Sequence, residues 1–272
     1  MRPPHLSHSQ LKTFKACARK WGLLKIDHLE DKPSAAKDFG IAVHALLETY
    51  LRTHIPIPGD DAPAIAARAT VEQAFPKLGL DGEYPTAQAE VEFSLELEGA
   101  PLVGFIDVLD SYPDHPLVVD YKTKGNFRYI GKEPLGTDQQ MILYAKHAFG
   151  VKPTADVVTV CHVYILAPPK DLLEVSDYKP KIRIASDDIR RSDMLDLMAP
   201  IEALVKDVTK VWNAETGMEL PRSPEHCSAF GGCPFLDRCW NGASPTDRMF
   251  ACLDEAPASA PIVPPDARIP DA

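Results

Sequence analysis

No run of apolar residues in this chain of 272 approaches the roughly 20 that a membrane-crossing helix needs. Its first residues, MRPPHLSHSQ, carry no apolar stretch of the kind found in a secretion signal. A cytoplasmic protein, bacterial or from a phage in a bacterial host, is therefore expected. No two of the six cysteines have the tight C-x2–4-C spacing common in zinc sites. In a reducing compartment six cysteines point to metal or cluster ligation as readily as to disulfides. Internal repeats are absent, which excludes a solenoid. Basic residues are in the minority: 29 Lys and Arg against 39 Asp and Glu leave a net charge of −10, which argues against broad, non-specific nucleic-acid binding.

What is present suits an ordinary soluble globular protein. Apolar residues make up 45% and charged residues 25% of the chain, enough to build one sizeable core, so a single domain with insertions is expected. The charge is uneven. Residues 1–52 hold nine Lys and Arg and five Asp and Glu, residues 121–152 hold six and two, and the remainder carries −18. Two basic islands in an acidic chain can face a polyanion, or can simply be solvated helix faces.

Ser7 or Ser9 is placed to cap a helix through SQLKTFKACARKWGLLK, where Leu11, Phe14, Ala18 and Trp21 recur at helical spacing. A second helix follows Gly40 (IAVHALLETYLRT), and a Pro/Gly/Asp stretch separates it from a short one near 62–76. Residues 89–97, 101–110 and 116–123 read as strands. Their separators, EGA and SYPDH, are short and turn-like, which predicts an antiparallel meander. TDQQMILYAKHAF predicts a helix stopped by Gly150. Strands VVTVCHVYIL and KIRIA follow. Ser186 then caps a long helix, DDIRRSDMLDLMAPIEALVKDVTKVWN, kinked near Pro200. Residues 253–272 are rich in Pro and Ala and predict a disordered tail. The order α-β-β-β-α-β places the chain in the mixed α/β (α+β) class, with a mixed central sheet flanked by helices.

Residues 118–123, VVDYKT, begin like a buried strand and then put Asp120 and Lys122 on one face. A hairpin symmetric about its loop sets position 107 across from position 120, and position 107 is Asp107. Opposed side chains lie about 4.5–5.5 Å apart at Cβ. Two carboxylates that close need a proton or a cation between them, and Mg²⁺ is the natural candidate. The same counting about the EGA turn brings Glu92 near Asp107, while Glu90 and Glu92 read equally well as the solvent face of an edge strand. Taken alone, the Asp-x-Lys triplet is more often a strand-end ion pair. His44, on one helix face with Leu47 and Leu51, is more often a satisfied core histidine.

Taken together, GFID, a short loop and VVDYKT resemble the PD-(D/E)XK nuclease superfamily, in its RecB-like exonuclease branch, over about residues 7–240. The resemblance implies a restriction-endonuclease-like core. It assigns Asp107 and Asp120 to a Mg²⁺ or Mn²⁺ ion and Lys122 to positioning or activating the attacking water. The family's upstream Gly-x-x-x-His is matched by Gly40 and His44, making His44 a further ligand. Its Gln-x-x-x-Tyr is matched by Gln140 and Tyr144, which support the active site and substrate. The backbone carbonyl of Tyr121 is a further candidate ligand. Thr123 and Lys124 lie where phosphate contacts would be useful, and Phe127 and Tyr129 are candidates to stack on bases.

Cys227, Cys233 and Cys239 are spaced C-x5-C-x5-C, with Cys17 far upstream. Four thiolates suit structural zinc or an iron–sulfur cluster. Iron–sulfur members of the branch, including AddB-type and CRISPR-adaptation nucleases, pair one N-terminal cysteine with three C-terminal ones, so the resemblance implies a 4Fe–4S cluster on these residues that joins the two ends of the fold. Cys161 reads as core and Cys252 has no assignment. The domain expected is 1–252, with its core about 36–215 and the cysteine region formed by 1–30 and 220–245. The expected function is a metal-dependent DNA exonuclease in recombination, repair or phage DNA processing. It would act on single strands or duplex ends, with a recombination or helicase partner and no membrane. The alternatives are a non-cleaving DNA-binding accessory protein of the same fold and a zinc-stabilised interaction module.

Overall fold

The computed structural model of the protein describes residues 5–32, 34–81, 86–111, 114–128, 130, 133–169, 175–227 and 232–240. The expected tail at 253–272, Cys252 and Tyr129 lie outside the described residues.

The helices come in two groups. The first group lies at the N-terminus: α1 (His8–Ala16), α2 (Ala18–Lys25), α3 (Ala35–Thr53), α4 (Ala62–Gln73) and the one-turn α5 (Phe75–Leu78). The meander follows as β1 (Gln88–Leu97), β2 (Ala100–Asp110) and β3 (Leu117–Lys124). Then come α6 (Gln139–Val151), β4 (Val157–Leu166), β5 (Ile182–Arg190), α7 (Met194–Val211) and the short α8 (Leu236–Cys239). The five strands form one sheet in the order β1-β2-β3-β4-β5. β3 and β4 are parallel, with α6 as their crossover, and every other pair is antiparallel.

Helices cover both faces. On one, Leu11, Trp21, Met141, Leu143, Ile201 and Val205 from α1, α2, α6 and α7 pack against Ile106, Val118 and Val160. On the other, Val43, Leu47, Ala66 and Phe75 from α3 to α5 pack against Val119, Tyr121 and Val163. The alternation of VVDY in β3 between these two layers is the two-residue period of a strand buried on both sides.

Three expectations about element ends are corrected. The first helix is two, because Cys17 is extended (φ −162°, ψ 109°) and caps α2, its Sγ accepting the Lys20 N–H at 3.4 Å. Gly150 lies inside α6, which continues to Val151. Residues 186–190 belong to β5, and α7 begins only at Met194. Ser-Asp-Asp resembles a helix cap locally, but pairing with β4 wins. Asp187 Oδ2 accepts the Gly136 N–H at 2.9 Å and Asp188 Oδ1 accepts the Thr159 hydroxyl at 2.8 Å, so the acids find partners on the edge strand.

The ends of the chain meet at a close crossing. Asp27 accepts the Gly217 N–H at 2.8 Å and the Thr216 hydroxyl at 3.0 Å. A Cβ on Gly217 would fall onto the backbone of Gly22 and Leu23. Gly217→Ala should therefore destabilise by about 3 kcal/mol, at the upper end of overpacking costs, or roughly 6–12 °C in thermal midpoint for a domain of this size. Gly150→Ala, with open space around it, should stabilise by about 0.5–1 kcal/mol. Thermal melts of the two variants check both signs.

Candidate active site

β2 and β3 pair over three rungs: Val108 with Val119, Leu109 with Val118 and Asp110 with Leu117. This register places position 107 across from position 120, as the counting expected. Past Val119 the strands part. β3 continues to pair with β4 as far as Lys124, so its edge toward β2 carries backbone groups without ladder partners. Tyr121 turns both of its groups into this notch. Its N–H donates to Asp107 Oδ2 at 2.7 Å, and its carbonyl accepts from His44 Nε2 at 3.0 Å. On the opposite edge the carbonyl of Phe105 accepts from the Tyr144 hydroxyl at 2.7 Å.

The neighbouring hairpin supplies an acid that sequence counting misassigned. Its turn has two residues, Glu98 and Gly99, both with left-handed φ (49° and 72°), the conformation a two-residue type I′ turn requires. The ladder therefore pairs Leu97 with Ala100 and Glu92 with Phe105. Glu92 lies two rungs away from Asp107, and Glu90 takes the place opposite it. That rung is missing from the ladder, and Glu90 has φ 51°. Core-facing residues change layer there: Val91 and Ile106 pack toward α6, Ala89 and Val108 toward α3. The local kink turns Glu90 and Asp107 toward His44.

His44 arrives from α3. A Cβ on Gly40 would stand 3.0 Å from Thr123 Oγ1, so this glycine lets α3 cross β3 closely, and His44 follows about one helical turn later. His44, Glu90 and Asp107 each offer a ligand atom, and the three atoms lie within 4.8 Å of one another. Because the Tyr121 carbonyl only accepts, His44 Nε2 carries hydrogen. Its Nδ1 then faces Asp107 Oδ2 at 3.4 Å, a pairing that needs a proton or a cation. Burial works against charge on His44, but hydrogen bonding to Asp107 and the charges of Asp107 and Asp120 outweigh it and raise its pKa. Burial, then the charges of Asp107 and Glu48, raise Glu90. Crowded oxygen donors with one imidazole fit Mn²⁺ or Mg²⁺. His44 and Glu90 line a cleft of about 430 Å³ together with Gly40, Glu48 and Thr123.

Asp120 sits on the α6 side, 2% exposed, outside that three-ligand group. Gln140 Nε2 donates to its Oδ1 at 2.9 Å and to the Tyr144 hydroxyl at 2.6 Å. Lys122 Nζ donates to Gln140 Oε1 at 2.7 Å and lies 2.5 Å from Asp120 Oδ2. That second contact is an ion pair without hydrogen-bond alignment, so Oδ2 has no hydrogen-bond partner. Burial raises the Asp120 carboxyl, Lys122 pulls it back and the charge of Asp107 raises it further, to about 7 in all.

Sequence reasoning missed His162, which pairs with Asp120 in the parallel ladder. It is 4% exposed, with Nε2 3.6 Å from Asp120 Oδ2 and Nδ1 3.0 Å from the Tyr164 hydroxyl. The signal was a polar residue in an otherwise apolar strand. Its site role shows only through the strand pairing. Of the aromatic candidates, Phe127 is half-buried in the loop after β3.

The cysteines gather at the opposite end of α1. Burial raises the thiols of Cys227 and Cys233. Cys233, Cys239 and Cys17 add to the rise at Cys227, and Cys17 and Cys239 to that at Cys233, which makes the four neighbours. Arg19 Nη1 reaches Cys239 Sγ at 3.7 Å. Cys161 is fully buried in β4 and burial pushes its thiol up to about 12, as expected of a core residue.

The sequence matches the family described as the PD-(D/E)XK nuclease superfamily over residues 5–93 and 81–240. No curated protein matches it. Among solved structures, a "Putative exonuclease" from Eubacterium rectale is similar with a TM-score of 0.54 and 16% identity, over 89% of each chain. That likeness is one of fold. A phage related exonuclease from Haemophilus somnus 129PT is similar at 14% identity over 68% of this chain and 90% of that one. Its TM-score of 0.26 is too low to carry an argument.

Metal uptake should carry a pH signature. Asp120 and His44 both titrate above their ordinary values of 3.8 and 6.5. In the metal-free protein their contribution to folding is complete below those values. It is lost as pH rises through the folded ones, about 7 for Asp120. A divalent ion competes with those protons. Mn²⁺ should thus raise the thermal midpoint more at pH 8 than at pH 5.5, and Asp107→Asn should remove the rise. Equal shifts at both pH values would contradict this site.

Proposed function

The chain belongs to the PD-(D/E)XK nuclease superfamily, and we propose that it is a metal-dependent deoxyribonuclease, an exonuclease of the RecB-like type carrying a 4Fe–4S cluster. The observation that carries the reading is the convergence of ligand atoms from His44, Glu90 and Asp107 within 4.8 Å of one another, beside the Asp120–Lys122–Gln140 network. We assign His44, Asp107, Glu90, Asp120 and the Tyr121 carbonyl to holding Mg²⁺ or Mn²⁺. Bound there, the ion supplies charge that polarises a phosphodiester and makes a nearby water more acidic.

The chain's own groups do the rest. Lys122 has three donor positions. Gln140 Oε1 takes one of them and Asp120 holds the head group by charge, which leaves donors to meet charge developing on the phosphate. Gln140 holds Asp120 and Lys122 at fixed separation, and Tyr144 locks Gln140 to β2. Thr123, on the cleft wall, is placed for a substrate contact. This network favours an active enzyme over a non-cleaving DNA-binding protein. Burying Asp120 against Lys122 is costly and gives nothing to DNA binding alone.

The thiols of Cys17, Cys227, Cys233 and Cys239 share one neighbourhood, where zinc is the alternative to the 4Fe–4S cluster that the RecB-like reading assigns. The cluster would reinforce the junction of a single domain over residues 1–252 with its core about 36–215. A role in recombination, repair or phage DNA processing, with DNA ends as substrate, follows from the RecB-like reading.

Purified protein should degrade DNA with Mg²⁺ or Mn²⁺. Lys122→Ala should lower the rate by about 10²–10³-fold, as loss of one charge-stabilising donor does. Full activity in that variant would remove the assignment. Anaerobically purified protein should be brown, and a colourless sample loaded with zinc would sink the cluster.

A further inference from the structure

A second cavity, about 750 Å³, opens on the other side of β3 from the His44 cleft. Nothing in the proposed chemistry uses most of it. Its walls include His8 and Lys12 from α1, Lys122 and Lys124 from β3, and His162 from β4. His8 and Lys12 are four residues apart on α1 and share a face. Lys122 and Lys124 share a face of β3. Two elements that are distant in sequence therefore aim their cations at one space.

Lys122 is already paired with Asp120, and even so this space holds more positive charge than the protein satisfies. Among the described residues lining it, Asp138 is the single carboxylate, and it already accepts the Gln140 and Met141 N–H groups at 2.8 and 3.2 Å as the cap of α6. Lys124 is lowered by burial and then by the neighbouring charges of Lys122 and Lys12. Burial lowers His8 to about 4, with Lys122 and Lys12 pressing the same way against Asp138. His162 is buried, and its Nε2 has no hydrogen-bond partner. In a protein of net charge −10, three lysines facing each other in one concavity mark a place for an anion.

The volume selects the kind of anion. A pocket of several hundred Å³ takes a nucleotide-sized ligand, far more than one inorganic ion. A phosphate monoester carries about −1.5 to −2 at neutral pH, whereas an internal phosphodiester carries −1. Lys12 and Lys124, beside the already paired Lys122, therefore favour the monoester. Tyr164 and Asn126 line the same cavity and offer polar contacts to the sugar or base.

We propose that this cavity holds the terminal nucleotide of a DNA strand, with its terminal phosphate among Lys12, Lys122 and Lys124. The inference rests on the nuclease reading and deepens it. Lys122 is shared between cavity and cleavage site, so a strand whose end is seated here presents a nearby phosphodiester to the metal cleft across β3. An occupied end pocket makes the enzyme act from ends. It also gives α1 a function beyond leading into Cys17, because α1 supplies Lys12, one of the three lysines.

The test separates binding from cleavage. Thymidine 5′-monophosphate, thymidine 3′-monophosphate and thymidine are titrated calorimetrically into the full-length protein in EDTA. One of the two monophosphates should bind at least tenfold more tightly than thymidine. The double variant Lys12→Gln/Lys124→Gln should lose that preference, with an unchanged thermal midpoint showing that it is folded. Digestion of DNA with and without the corresponding terminal phosphate should show a several-fold lower KM for the phosphorylated end, and the variant should abolish the difference. If thymidine binds as well as both monophosphates, or if the folded variant retains the preference, the end pocket is wrong. DNA cleavage indifferent to the terminal phosphate overturns the pocket and leaves the nuclease standing. Phosphate-dependent binding through Lys12 and Lys124 without any cleavage does the reverse. Should the double variant not fold, Lys12→Gln alone is read by the same titration, and retained preference there counts against the pocket.

Discussion

Two strands that pair and then separate organise this protein. β2 and β3 hold together at Val108–Val119 through Asp110–Leu117 and then diverge, while β3 remains bonded to β4. Divergence leaves the Tyr121 N–H and C=O inside the protein without a ladder partner, and buried backbone groups must be satisfied. The groups that satisfy them are Asp107 and His44, two of the residues that converge on the candidate metal site. Tyr144 does the same for Phe105 on the opposite strand. The residues that give the site its chemistry are thus the ones that close the hydrogen-bond account of the parted sheet. Removing one costs structure as well as function.

The two faces of β3 do different things because a strand alternates. Tyr121 and Thr123 belong to the α3 side, with His44, Glu90 and the smaller cleft. Asp120, Lys122 and Lys124 belong to the α6 and α1 side, with Gln140, His162 and the larger cavity. Asp107 lies between, because the kink at Glu90 lets β1 and β2 exchange faces at that rung. The balance of charge differs on the two sides: Glu90, Asp107 and Glu48 gather around His44, while Lys12 and Lys124 join the Lys122–Asp120 pair on the side of His162. A cation suits the first and a phosphate the second, and a phosphodiester needs both within reach.

Rigidity at the chain ends supports this arrangement. α1 and α2 are pinned to the segment near Gly217 by Asp27 and the contact at Gly22, and Arg19 donates to the Leu220 carbonyl at 2.8 Å. Arg222 stacks 3.8 Å over the Trp240 ring. Packing and hydrogen bonds thus join α2 to the segment around Gly217 and Leu220.

By itself the sequence determined the strand periods, the register of the second hairpin and the pairing of Asp107 with position 120, because side-chain alternation and loop symmetry are local rules. It also determined that Gln140 and Tyr144 share a helix face, whereas Gly40, expected ahead of the second helix, proved to lie inside α3 with His44. It did not determine that Glu90 rather than Glu92 reaches Asp107. That depended on a two-residue turn with left-handed Glu98 and Gly99, and one residue of turn length changes every partner. Nor could it place His162 beside Asp120 or Lys12 near Lys124, since parallel pairing and helix docking join residues far apart in the chain. The Ser-Asp-Asp run at the end of β5 shows the same limit from the other side. Its local preference is a helix start, and only the presence of β4 alongside makes it a strand.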